Sequence, residues 1–146
     1  LYLVVEFLAT LIFPQQVYFC LRVFKMAAAG GDARGDFDGW LTKRSMWLKE
    51  WRKRYFVLKG NKLYFSKSPT DDPHGCIDLK ECLTVKSAEE KTNKRFCFEV
   101  QTPEATFFMF ADDEKSKDEW IGAIGRAIVR YSNSFTSDDG MEDTAQ

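Results

Sequence analysis

Between residues 43 and 59 the chain carries Lys43, Arg44, Lys49, Arg52, Lys53, Arg54 and Lys59 against one acid, Glu50, a net +6 in 17 residues. Arginine offers a planar fork of donors that grips phosphate oxygens in pairs, and lysine acts as a compact point charge. The chemistry on offer is anion binding, and phosphate fits it best. A charge run on a solvated face would make no site, but strand parity argues for one. Side chains alternate faces along a strand, so Arg52, Arg54, Phe56 and Leu58 share a face. Phe56 and Leu58 are natural core residues and turn that face inward. On the preceding strand Leu41 and Lys43 share a face in the same way. In a hairpin closed by residues 44–51, Lys43, Arg52 and Arg54 gather at one mouth of the β-structure. Three cations rimming an apolar interior repel one another unless an anion joins them.

The closing loop places Met46, Trp47 and Leu48 at its tip, beside Arg44 and Lys49. Tryptophan is favoured at a lipid–water interface. The tip therefore has two readings: it inserts at a headgroup surface, or Trp47 folds back onto the domain. Trp51, at the strand base, reads as structural.

Little else in the chain supports chemistry. The single histidine is His74, followed by Gly75. Cys20, Cys76, Cys82 and Cys97 form no C-x-x-C pair and have no histidine at metal-ligand spacing, so a zinc site is not expected. Their scatter suits a reducing compartment better than a disulfide scaffold, and Cys97 reads as a buried thiol. No nucleophile elbow and no phosphate-cradling glycine loop occurs. No acid–base pair stands out either. An enzyme is not expected, nor is a cofactor. The 146 residues hold 21 Lys+Arg against 22 Asp+Glu, for a net −1. General nucleic-acid binders are usually strongly basic, so that class is excluded. The 45% hydrophobic content is enough for one ordinary core and too high for a disordered polymer.

The elements that must position the cations follow in order. Residues 1–25 are almost continuously apolar but are broken by Glu6, Pro14, Gln15, Gln16 and Arg22. A spanning helix wants roughly 20 unbroken apolar residues. The segment is read as an N-terminal extension upstream of a working start at Met26, with a membrane anchor as the alternative. Residues 26–36 form a small-residue, acidic lead-in. From Phe37 the pattern changes to short β-type runs. The first begins at Trp40-Leu41-Thr42, and the others cover residues 52–59, 62–66, 75–79, 83–86, 96–101 and 106–111. Gly60-Asn61 is a two-residue hairpin signal. Asp112 or Asp113 is an N-cap, and Trp120, Ile121, Ile124, Ala127, Ile128 and Tyr131 then fall on one helical face. Gly122 and Gly125 each cost a helix roughly 1 kcal/mol, so packing must hold it, with Trp120 as a core plug. Residues 133–146 form an acidic tail expected to be disordered, leaving residues 37–132 as the domain.

These motifs together resemble the pleckstrin-homology (PH) domain family, in particular its small single-domain plant members. The likeness covers about residues 37–131. It is carried by Gly39-Trp40-Leu41-x-Lys43, by Trp51-Arg52-Lys53-Arg54-Tyr55-Phe56-Val57-Leu58, by Leu63-Tyr64-Phe65 and Pro73-His74-Gly75, and by Trp120. It implies a mainly β fold with one C-terminal α-helix, a seven-stranded, strongly bent β-sandwich or barrel capped by that helix. It also implies a phosphoinositide site between the first two strands. The family signature of a lysine, a spacer, then basic-x-arginine falls on Lys43, Arg52 and Arg54. Lys49 matches a loop lysine of phosphoinositide-binding members, and His74 stands where many carry an arginine. Both join the headgroup-binding set, while Arg44, Trp47, Leu48 and Lys53 form the membrane-contact set. Phe65 replaces a phosphate-bonding tyrosine and His74 an arginine. The loss of these donors points to a monophosphate or to broad specificity.

The implied function is recruitment in signal transduction. The protein would be a cytoplasmic monomer, peripheral at the plasma membrane or endosomal membranes, and partnered by phosphoinositide-containing membranes. The alternative is a protein–protein interaction (adaptor) domain with weak or no lipid binding, which Phe65, His74 and Glu50 favour.

Overall fold

Seven alternating or aromatic-rich runs become strands in the computed structural model, which describes residues 36–132. They are β1 (Phe37–Arg44), β2 (Trp51–Lys59), β3 (Lys62–Ser66), β4 (Gly75–Asp78), β5 (Thr84–Ser87), β6 (Cys97–Gln101) and β7 (Thr106–Phe110). All pairings are antiparallel, in the order β4-β3-β2-β1-β7-β6-β5. Gly60, at φ 59°, makes the β2–β3 hairpin, where glycine carries no Cβ penalty. β1 pairs with β2 along its whole length, but it meets β7 only through Thr42 with Phe110 and Lys43 with Met109. The seam between the two halves of the sheet is thus confined to the end of β1 that enters the cationic loop.

The inward parity of each strand supplies the core, including Leu41, Phe56, Leu58, Leu63, Ile77, Phe98, Val100 and Met109, all essentially buried. A short helix α1 (Glu89–Thr92) precedes β6, and α2 (Glu114–Ser132) ends the domain. Asp113 caps α2 by accepting the Ser116 amide at 2.7 Å. The helix packs against the 3-10 turn Leu79–Glu81, which follows one edge strand, and against β5, the other edge. It therefore closes the open side of the bent sheet. Trp120 enters the core, edge-on to Phe37 at 4.7 Å and 6.2 Å from Phe56.

The architecture matches the expected one, with local departures. β6 starts at Cys97, not at residue 96, because Phe96 adopts a left-handed backbone (φ 60°). The fifth strand slides by one residue. Neither the 3-10 turn nor α1 is among the expected elements. Four residues carry no helical periodicity, and α1 is held by ion pairs instead. Lys91 donates to both oxygens of fully buried Glu99, at 2.8 and 2.9 Å, while Glu89 meets Lys117 at 3.4 Å. Cys82 and Cys97 are free and buried, in agreement with the reading of Cys97, and burial pushes both thiols up. The expectations for residues 1–25, for the lead-in before residue 36 and for the tail 133–146 lie outside the described residues.

Candidate anion-binding site

The β1–β2 register places Lys43 directly opposite Arg52, and Leu41 opposite Arg54. On both strands these residues continue the core-facing parity: Leu41 is 1% exposed and Lys43 only 9%. The three cations therefore stand where the core face runs out, as parity requires. The Lys43 ammonium donates to the Arg44 carbonyl at 3.2 Å and lies 5.0 Å from the Phe65 ring centre and 5.5 Å from that of Phe107. Arg54 donates to the Lys53 carbonyl at 2.8 Å. Among the described residues no carboxylate pairs with Lys43 or Arg54. Arg52 alone has one, Glu50, at 2.9 Å.

The electrostatics follow from that placement. Burial, and then repulsion from Arg54, lower Lys43 from 10.5 to about 8. Burial and the Arg52 charge also lower Arg54. An anion here would relieve repulsion and meet a Lys43 ammonium that has already lost most of its water.

β3 and β4 build the opposite wall. Phe65 sits across from Gly75 in the register, 5.5 Å from Phe56 and edge-on to His74 at 5.2 Å. A Cβ at position 75 would come within 2.3 Å of the Phe65 ring, so only glycine lets that ring lie where it meets Lys43. Gly75→Ala is expected to tilt Phe65 off Lys43 and to lower stability by about 1–3 kcal/mol, the usual cost of overpacking. Urea denaturation checks the loss, and altered Phe65 ring shifts in NMR check its cause.

The loop between β1 and β2 is closed by the Ser45 amide on the Glu50 carbonyl at 2.7 Å, with Ser45 Oγ accepting the Leu48 amide at 3.3 Å. Lys49 takes a left-handed backbone (φ 54°) that turns the chain into β2. Trp47 does not fold back: it is 73% exposed, with Met46 and Leu48 about half exposed beside it.

The structure brings together Lys43, Arg52 and Arg54 and separates the other expected residues. Lys49 is exposed, with no hydrogen bond or ion pair to the three. The His74 ring borders the cluster through Phe65. Arg44 and Lys53 point to the opposite face of the hairpin. There Arg44 lies 5.8 Å from the Phe108 ring, and Lys53 lies 3.5 Å from Asp112 and 5.9 Å from the Trp40 ring. Trp51 packs on Phe110 at 5.1 Å, in the structural role expected of it. Sequence reasoning missed Phe107. Its parity matches Met109, but only the β1–β7 pairing of Met109 with Lys43 reveals what it faces.

Residues 36–129 match the sequence pattern of the PH domain. This chain belongs to the PH domain family. Among PH relatives, "Pleckstrin homology domain-containing protein 1" of Arabidopsis thaliana is 38% identical over 137 residues, covering 82% of this chain and 94% of the relative. The human "Arf-GAP with coiled-coil, ANK repeat and PH domain-containing protein 2" is 39% identical over 93 residues, 63% of this chain but 12% of that protein. Among solved PH structures, the C-terminal PH domain of pleckstrin in complex with D-myo-Ins(1,2,3,4,5)P5 superposes with a TM-score of 0.55 at 31% identity, covering 63% of this chain and 96% of that one.

Proposed function

We propose that this PH domain binds phosphoinositide headgroups through Lys43, Arg52 and Arg54 and thereby holds the protein at a membrane surface. One observation carries the reading: three cations end the core face, and among the described residues neither Lys43 nor Arg54 has a carboxylate partner. Arg52 and Arg54 supply paired donors and Lys43 a point charge. The pleckstrin domain solved with an inositol pentakisphosphate supports the ligand class. Lys49 and His74 border the headgroup. The exposed Trp47 and Leu48 meet the interface, Arg44 adds roughly 1 kcal/mol of attraction to anionic lipid, and Lys53 adds less because Asp112 pairs with it. Phe65 offers no hydroxyl, which favours a monophosphate or broad specificity. The role is peripheral and non-catalytic, at the plasma membrane or endosomal membranes.

The test is sedimentation with liposomes carrying each phosphoinositide in turn, using the wild-type chain and an Arg52→Glu/Arg54→Glu double variant. Wild type is expected to sediment, and the variant to stay in the supernatant while its thermal melt remains cooperative. Undiminished sedimentation of the folded variant would refute the site. The Arg52–Glu50 ion pair favours a second reading, a protein-interaction domain in which Arg52 is already neutralised. Wild type that ignores every liposome would support it.

A further inference from the structure

The Lys43 ammonium has one hydrogen-bond acceptor, the Arg44 carbonyl, and is otherwise flanked by two aromatic rings. Phe65 is fixed by its register opposite Phe56 and Gly75 and by the edge-on His74. Phe107 is fixed opposite Val100, two residues from the Met109 that pairs with Lys43. Both rings present a face to the ammonium, at 5.0 and 5.5 Å. An ammonium has three donors, and the Arg44 carbonyl takes one.

A hydrated surface lysine must shed water and lose rotamer freedom before it grips a phosphate. Lys43 has largely done both. The negative ring faces replace part of the lost hydration without consuming a donor, because a cation over an aromatic face is attracted electrostatically. An oxygen ligand in the same place would compete with the incoming anion; a ring face does not.

We propose that Phe65 and Phe107 are positioning residues whose paired ring faces hold the Lys43 ammonium charged, dry and aimed at the mouth, and so set headgroup affinity. This rests on the phosphoinositide reading of the site, and the experiment keeps the two separable. The full chain is made as wild type, Phe107→Leu, Phe65→Leu and Phe107→Trp. Leucine keeps the apolar wall and removes the ring face, and tryptophan restores a stronger one. Each variant is checked by thermal melt and then read in two ways. One is binding to phosphatidylcholine vesicles containing a phosphatidylinositol monophosphate. The other is the titration of the Lys43 ε-carbon by NMR, in the absence of lipid.

The leucine variants are expected to bind roughly three- to tenfold more weakly. Their Lys43 is expected to lose its proton at lower pH than in wild type, and Phe107→Trp to restore both readouts. Folded leucine variants whose Lys43 titrates as in wild type, or at higher pH, would overturn the clamp, because the rings would then be only a desolvating wall. If wild type fails to bind the vesicles, the phosphoinositide reading falls, while the lipid-free titration still decides whether the rings hold the ammonium.

Discussion

Lys43→Met is expected to make the unliganded domain more stable while cutting headgroup binding at least roughly a hundredfold, the loss of one charge-assisted phosphate contact in a desolvated site. Lys43 is 9% exposed, and its amine is lowered from 10.5 to about 8 by burial and by Arg54. Holding the ammonium there at neutral pH costs on the order of 3 kcal/mol, taking one pKa unit as about 1.4 kcal/mol. Methionine has nearly the same length and no charge, and a thioether packs well against aromatic rings. It would occupy the slot between Phe65 and Phe107 and relieve Arg54 of a like charge. Part of the gain is offset by lost contacts of the ammonium with the rings and the Arg44 carbonyl, so a net gain of about 1–3 kcal/mol is expected. Urea denaturation and calorimetric titration with a soluble inositol phosphate measure the two effects. A loss of stability would mean that Lys43 is held by more than the two rings and the Arg44 carbonyl. Unchanged binding would remove it from the site.

The opposite signs of those two effects explain why the cluster is legible in the amino-acid sequence. Selection for stability alone places Met or Leu at the end of a core face, so cations at the inward parity of two adjacent strands already signal a ligand. Reading Arg52, Arg54, Phe56 and Leu58 as one face, and Leu41 and Lys43 as its partner, requires only local alternation, and the observed register pairs them accordingly. The hairpin at Gly60 and the Trp120 helix face are legible for the same reason, since each is set by near neighbours in sequence.

What sequence cannot show depends on distant pairing. Phe107 faces Lys43 only because β7 joins β1 through two residues at that end. Glu99 has a surface composition yet is fully buried, because α1 folds over it and supplies Lys91. The four residues of α1 have no helical pattern to read, since the ion pairs that fix them come from β6 and α2. The exposure of Trp47 is undecided from sequence because both outcomes satisfy the same composition.

Headgroup affinity is expected to fall as pH rises through about 8, and the Lys43 contribution to the stability of the unliganded protein to rise over the same window. That contribution is read as the difference between wild type and Lys43→Arg, because the buried Cys82 and Cys97 thiols act with the opposite sign in both. With no anion bound, Lys43 loses its proton near pH 8. A phosphate beside it favours the charged form and raises that value. Below pH 8 the free and bound states are both protonated and this group adds no pH dependence. Above it, binding must take up a proton, so affinity drops by up to about tenfold per pH unit until the bound form also titrates.

The sign for stability is opposite. The amine is near 8 in the folded chain and near 10.5 when unfolded, so between these values the unfolded state holds more protons and stability increases with pH. The groups facing Lys43 do not supply the same signal. Arg52 and Arg54 on β2 are guanidiniums, and Glu50 pairs with Arg52. Phe65 on β3 and Phe107 and Met109 on β7 do not ionise, and Phe65 stands between His74 and the ammonium. Binding to a soluble inositol phosphate between pH 7.5 and 9.5, with urea midpoints at each pH, measures both slopes. Lys43→Arg is the control: a guanidinium keeps its proton, so the variant should flatten the affinity and remove the upward Lys43 term from the stability slope, leaving the downward slope of the buried Cys82 and Cys97 thiols. A flat wild-type affinity across that window would mean that the Lys43 ammonium is not the group that meets the phosphate.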